Sequence, residues 1–419
     1  MIFQILDHPT TTITGNFFNL TAHESGYPFW VPYIQQYFED IGIEIRKVDF
    51  SNLDLSKPWI LSLPPNGWNW SEDYDKDFLE VFEPNVRQEL VHGNGYLIVN
   101  HEAESFTLSF YRELHRFLSN SELSPNKVIY MVGATDPEVE YKKFVEEHKI
   151  PTDKQIKIIS SHHVHRRFHP LHIQTLLENR NNNSFKKDRK FLSLNRVPKL
   201  HRVTMVSLLS YYDLLEQGYV SLGLYPEDLI DNKFYPALNK IPDYTRLKFK
   251  IKQGFGKIFS KLPLQVDQVD LRENQYAVQS LPSMFYDKTY FSLVSSTFAM
   301  HDQEPCVGFT EKEMRPIIFK QPFLLHNLPG ALKQLKKMGF LSFDRWFDES
   351  YDEEVNDMER MHKLVLEVQR LCLIPNEQWD KMLEEMQPVL LHNYNILIKY
   401  NKEHIFFHSD LKNLIHYAA

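Results

Sequence analysis

The chain has 419 residues, with 47 Lys+Arg against 55 Asp+Glu for a formal net charge of −8, and 42% of it is hydrophobic. That length predicts two or three domains at roughly 150 residues each, long enough for a core in each. The mild acidity argues against a surface coated in phosphate-binding charge, though it leaves room for a local basic groove. No run approaches the roughly 18 apolar residues of a membrane helix. The start, MIFQILDHPTTT, lacks the basic region of a signal peptide. Two cysteines, Cys306 and Cys372, are too few for a metal knuckle or a disulfide framework, so a reducing cytoplasm is the expected compartment.

In chain order, the first half alternates short apolar runs with amphipathic stretches. Ile2–Leu6, Trp59–Leu63, Tyr96–Asn100 and Lys127–Val132 read as strands, and Thr107–Leu118 and Glu138–Glu147 as helices. Strands alternating with helices predict a parallel sheet covered on both faces. The polar, Asn-rich stretch Glu178–Lys190 then reads as an exposed linker and domain boundary, or else as a long surface loop. The alternation restarts after it. Phe191–Leu194 is a predicted strand and His201–Leu215 a helix with Val203, Val206 and Leu209 as its apolar positions. Tyr290–Val294 is a strand, Glu311–Phe319 a short helix, and Pro322–His326 a strand. PGALKQLKKMGF starts a helix at Pro329 and stops it at Gly339. Two long helices close the chain. Val355, Met358, Met361, Val365, Val368 and Cys372 share a face of the first, and Pro388 is expected to kink the second, which begins near Asn376. The reading is α/β: two doubly wound, Rossmann-like domains facing a cleft, over 1–180 and 189–375, with helices 376–419 packing back across them.

Two segments carry the chemistry. In FLSLNRVPKLHR a buried strand ends at Leu194, and Asn195, Arg196, Lys199, His201 and Arg202 lead into a helix. Ligands of open α/β sheets sit beyond the carboxyl ends of strands, against the following helix start, so a phosphate would sit among these residues. The alternative is a solvated basic turn. In FTEKEMRP, Thr310 is a predicted N-cap, with Glu313 three residues on completing a capping box. Lys312 adds charge to the positive helix start, and Arg315 lies one turn from Glu311. A carboxylate beside two cations suits a ribose diol and a diphosphate together. The alternative is plain capping plus an ion pair. Taken together, the two segments are what a nucleotide-diphosphate pocket requires.

The stretches FLSLNRVPKLHR…LLEQGYVSLG and FTEKEMRPIIFKQPFLLHNLPGALKQLKKMGFLSFDRWFDESYD resemble a family of phage, viral and bacterial glycosyltransferase-like proteins. More distantly they are similar to the α1,3-fucosyltransferase family. The resemblance covers about residues 189–352. It implies a GT-B architecture whose C-terminal domain holds a sugar nucleotide such as a UDP- or GDP-sugar. It puts the diphosphate on Arg202 (or Arg196) and Lys312, and the ribose on Glu311. The chain departs from the pattern at Arg315-Pro316, and the acceptor region of the fucosyltransferases is not recognisable in it.

An inverting transferase needs a base facing the donor. Glu102 and Glu104, after His101 at the end of a predicted strand, are the first candidates; Asp7 with His8 is the second, and Asp136 the third. The alternative for the first is a helix start decorated with acids. Asp73-Tyr74-Asp75 matches the metal-holding Asp-x-Asp pattern but follows no buried strand, which favours metal-independent catalysis without a cofactor. His162, His163, His165 and His169 lack a carboxylate or Cys to complete a metal set and read as a cationic loop. The acidic stretch Trp346–Glu354 reads as a solvated helix start. No Walker motif, GxGxxG or GxSxG is present. The expected function is transfer of a hexose or pentose from a nucleotide sugar to a hydroxyl acceptor. That acceptor is a glycan or a hydroxymethylated base of phage DNA, which would place the enzyme in a host cytoplasm. The alternative is a non-catalytic nucleotide-sugar or nucleic-acid binding protein with a degenerate transferase fold.

Overall fold

The computed structural model describes residues 2–6, 44–48, 54–56, 59–63, 84–101, 108–160, 186–225, 245–266, 283–297, 299–300 and 307–403. The chain divides into two compact units, Met1–His163 with His404–Ala419, and Val164–Glu403. The division falls ahead of the polar stretch 178–190, whose last two residues, Arg189 and Lys190, open a strand.

The first unit carries a six-stranded sheet of β1 (Ile2–Leu6), β2 (Glu44–Val48), β3 (Trp59–Leu63), β4 (Gly95–His101), β5 (Val128–Val132) and β6 (Lys157–Ser160). Its order is β2-β1-β3-β4-β5-β6 and every pairing is parallel. The helices described beside it are α1 (Pro84–His92), α2 (Leu108–Ser119) and α3 (Pro137–His148). Trp59, Leu97, Val99, Val128, Tyr130 and Val132 are all buried, as strands covered on both faces must be. Tyr111 of α2 sits edge-on to Tyr130 and Tyr141 and donates to the Pro137 carbonyl at 2.8 Å, which locks α2 onto the start of α3.

The second unit carries a four-stranded sheet of β7 (Arg189–Asn195), β8 (Gly218–Leu222), β9 (Thr289–Ser295) and β10 (Phe323–His326). Its order is β10-β9-β7-β8, again all parallel. Its described helices are α4 (Leu200–Tyr211), α5 (Thr245–Ile258), α6 (Met284–Asp287), α7 (Glu311–Ile318), α8 (Ala331–Lys337), α9 (Asp357–Cys372) and α10 (Asn376–Glu403). Alternate residues cover the two faces. Phe191 and Phe291 stack on one face, with Trp379 stacked on Phe291 at 5.4 Å. On the other, Leu192 packs with Phe285, Tyr286 and Phe319. The α/β class and the parallel sheets match the sequence reading.

Five local expectations change. Helix α4 ends at Tyr211 rather than Leu215, and His201 through Ser210 are all buried, beyond Val203, Val206 and Leu209, because α5 also packs on it. Val355 lies outside α9 and is 72% exposed, while Met358, Met361, Val365 and Val368 form the buried face. Helix α10 begins at Asn376 as expected and runs on through Pro388 to Glu403. The stretch 346–354 is not simply solvated: buried Asp352 accepts from the Leu332 N–H at 3.1 Å, at the N-terminus of α8. That helix begins at Ala331, after Gly330 with φ 78°, rather than at Pro329, and Gly339, with φ 87°, follows its end as predicted.

Candidate functional site

From β7 the chain passes to β8 on one side, then crosses to β9 on the other. Strand order reverses at that point, and the crevice beyond the carboxyl ends of β7 and β9 is where open α/β sheets bind ligands. Asn195, Ser295 and His326 end β7, β9 and β10, with Ser295 and His326 in register. The first segment singled out by sequence follows β7, and the second begins α7. The topology brings the two together at the end of β9, where the Ser296 carbonyl accepts from Arg202 Nη2, the Ser296 hydroxyl donates to Glu313, and Lys312 Nζ donates at 3.2 Å to Thr297 Oγ1.

The capping box at α7 forms as the spacing predicts. Thr310 Oγ1 accepts from the Lys312 N–H at 3.4 Å, and the Thr310 N–H donates to Glu313 Oε2 at 2.7 Å. Glu313 has a further part in the site. Its fully buried carboxylate also accepts from the Thr310 and Ser296 hydroxyls. The Ser296 carbonyl in turn accepts from Arg202 Nη2 at 2.9 Å and contacts His201 Nε2 at 3.1 Å. Ser296 is thus the junction between the start of α4 and the start of α7.

The charges follow from burial. Desolvation alone would raise the Glu311 pKa, but Lys312 at 2.7 Å and then Arg315 outweigh it and hold the carboxyl at about 2. Burial pushes Glu313 upward against the hydroxyl of Ser296. His201 is driven down to about 3 by burial and by Arg202, and His326 well below its ordinary value by burial and by His201. Both imidazoles are neutral at pH 7, and their ring centroids lie 5.8 Å apart. Asn195 Oδ1, His201 Nδ1, Arg202 Nε, Ser295 Oγ and both His326 nitrogens are buried without a hydrogen-bond partner. Each such atom carries a desolvation cost of about 1–3 kcal/mol, so their clustering makes this edge the polar centre of the unit.

The predicted donor residues divide into an accessible set and a buried set. Arg196, Lys199, Glu311, Lys312 and Arg315 are half-buried at the carboxyl edge, where a ligand can reach them. Thr310 is taken up by the cap. Asn195 is fully buried and its Nδ2 donates to Ser193 Oγ. Arg202 is 2% exposed and donates to the Val197 and Ser296 carbonyls, so it shapes the loops after β7 and β9 from beneath. Between β7, β9 and α7 lies a cavity of about 30 Å³, lined by Leu192, Leu194, Tyr286, Ser295, Lys312 and Arg315.

Sequence reasoning missed Ser296, His326 and Arg360. Arg360, 1% exposed on α9, donates to Asn327 O and Ala299 O at 2.9 Å each and fixes the turns after β10 and β9. No local pattern announces such a clamp, because its partners lie 33 and 61 residues away. Glu102, Glu104, Asp7, His8, Asp73, Asp75 and the histidines of 162–169 lie outside the described residues. Asp136 is described: it is exposed, with φ 51°, immediately before α3. Among the described residues no three His, Cys, Asp or Glu side chains gather as a metal site, and no helix is long and apolar enough to cross a membrane.

No protein-family model matches the sequence, and no curated protein does. Among solved structures the chain is similar to the α,α-trehalose-phosphate synthase (UDP-forming) of Burkholderia vietnamiensis. The identity is 12%, over 88% of this chain and 76% of that one, with a TM-score of 0.45. It is similar to the α,α-trehalose 6-phosphate synthase of Burkholderia multivorans at 11% identity, over 86% and 71%, with a TM-score of 0.42. It is also similar to the N-terminal domain of Candida albicans trehalose-6-phosphate phosphatase at 8%, over 97% of both chains, with a TM-score of 0.38. These are loose likenesses, and the chain's own residues carry the functional reading.

Proposed function

We propose that the second unit binds a sugar nucleotide at the carboxyl edge of its sheet and that the protein is a glycosyltransferase. One observation carries the reading: Glu311, Lys312 and Arg315 start a capped helix tied to the end of β9, beside the β7 loop that bears Arg196 and Lys199. An ionised carboxylate held at a pKa of about 2 remains an acceptor for ribose hydroxyls at any physiological pH. The neighbouring cations neutralise a diphosphate and stabilise the negative charge that grows on it as the sugar departs. Arg202 and Glu313 hold the two segments in register from beneath. The base that takes the acceptor proton is assigned to Glu102, Glu104 or Asp7. The acceptor is a hydroxyl of a glycan or of a hydroxymethylated DNA base, the reaction inverting and independent of metal. A non-catalytic sugar-nucleotide binder is favoured instead if donor binds without turnover.

Thermal shift with nucleoside diphosphates and UDP- or GDP-sugars, on wild type and Glu311→Ala, tests the pocket. A donor at 100 times its Kd adds roughly 2.7 kcal/mol. A selective shift lost in the variant supports the reading. No shift with any nucleotide overturns it and leaves α7 as an ordinary capped helix.

A further inference from the structure

A basic stretch lies outside the two segments of this edge. Between Thr245 and Val266 the sequence places six basic residues, Arg246, Lys248, Lys250, Lys252, Lys257 and Lys261, and no acidic one, in a chain of net charge −8. Helix α5 covers most of this stretch and continues as a 3₁₀ turn, Phe259–Lys261. Its inner face, Leu247, Ile251, Phe255 and Ile258, is buried. Its outer face is unlike an ordinary solvated helix. Phe249, Lys252, Gly256 and Phe259 follow one another at spacings of three and four residues and so form one stripe. Both phenylalanines are open to solvent, Phe249 at 57% and Phe259 at 46%. Lys252 and Lys261 are exposed beside them, and Lys257 leans on exposed Asp213 at 2.8 Å.

We propose that the outer face of α5 docks the protein on an anionic lipid surface, with Phe249 and Phe259 entering the headgroup layer and Lys252 and Lys261 meeting lipid phosphates. Charge complementarity selects an anionic partner. The exposed phenylalanines favour a bilayer over a duplex, because aromatic rings paired with lysines on one helix face gain apolar burial at the headgroup boundary. A duplex would be met by cations alone. The inference does not depend on the glycosyltransferase reading.

The test is co-sedimentation of the full chain with vesicles of phosphatidylcholine alone and of phosphatidylcholine with about a third phosphatidylglycerol. Binding is expected to the anionic vesicles only and to weaken with salt. Phe249→Ser with Phe259→Ser should lower partitioning roughly ten-fold or more, from the apolar area lost. Lys252→Ala with Lys261→Ala should lower it roughly thirty-fold. All four positions are exposed, so the melting temperature of each variant should stay at the wild-type value and separates lost docking from lost folding. No binding to anionic vesicles refutes the proposal, as does binding untouched by the phenylalanine changes. A salt-sensitive preference for duplex DNA over these vesicles also refutes it and assigns the face to nucleic acid.

Discussion

Two glycines on α5, two residues apart, should respond to the same substitution with opposite sign. An added Cβ at Gly254 would stand 1.8 Å from the Ser207 carbonyl oxygen, 2.7 Å from its carbon and 3.0 Å from the Tyr211 nitrogen. These are backbone atoms of α4, so no rotamer change relieves them. Carbon contacts are comfortable only near 3.5 Å, so α5 would have to withdraw by roughly 1.5 Å. Overpacking of this kind costs about 1–3 kcal/mol, and a backbone clash belongs at the upper end. Against it stands a helix-propensity gain of about 1 kcal/mol. Gly254→Ala should therefore destabilise by about 2 kcal/mol. At Gly256 an added Cβ meets nothing within 4 Å, and only the propensity gain remains. At about 2–4 °C per kcal/mol for a unit of this size, Gly254→Ala should melt some 4–8 °C lower and Gly256→Ala some 2–4 °C higher. Circular dichroism melts of the full chain measure both. The first variant should also blunt any nucleotide-induced shift, because α4 presents Arg202 to the Ser296 carbonyl. If Gly254→Ala equals or exceeds wild type in stability, the close contact between α4 and α5 is wrong.

Acid should expose the electrostatics of the site in two windows. The Glu311 pKa is depressed to about 2, so its stabilising contribution is full above 4.5 and is lost as pH falls from 4.5 toward 2. Glu311→Gln should flatten the stability curve in that range. His201 is depressed to about 3, so the unfolded chain takes a proton that the folded chain refuses, and stability falls from pH 6.5 downward. Histidine NMR should show its ring neutral at pH 5, and an imidazolium signal there would contradict the buried placement. Arg360→Met should cost about 3 kcal/mol or more by urea unfolding, since it leaves the Asn327, Ala299 and Glu354 carbonyls without their donor. A loss below about 1 kcal/mol would show that water replaces the clamp. Thr310→Ala should cost about 1 kcal/mol from the lost cap, with a larger loss in nucleotide binding than in stability.

Much of the fold was legible because its signals are local. Ile2–Leu6 and Trp59–Leu63 match β1 and β3 residue for residue, since a short apolar run bounded by polar residues has few alternatives to a buried strand. The α7 cap was legible because Thr310 and Glu313 satisfy each other within four residues. Strand β2, EIRKV, escaped notice because three of its five residues are charged. Helix α5 escaped because its basic, glycine-containing sequence resembles a solvated loop more than an element packed on a buried neighbour.

The sequence by itself determined an α/β chain with parallel sheets in two units, a capped helix bearing Glu311 and Lys312, and a basic loop after β7. Each depends on residues within a turn or a strand of one another. Only the tertiary structure decided that β9 crosses to the far side of β7 and brings the two segments together. It also decided that Arg202 turns inward to backbone carbonyls and that Ser296 joins α4 to Glu313. Asp352 caps a helix 20 residues away for the same reason. These are pairings across long separations in the chain, where burial and the need to satisfy every buried polar group choose the partner.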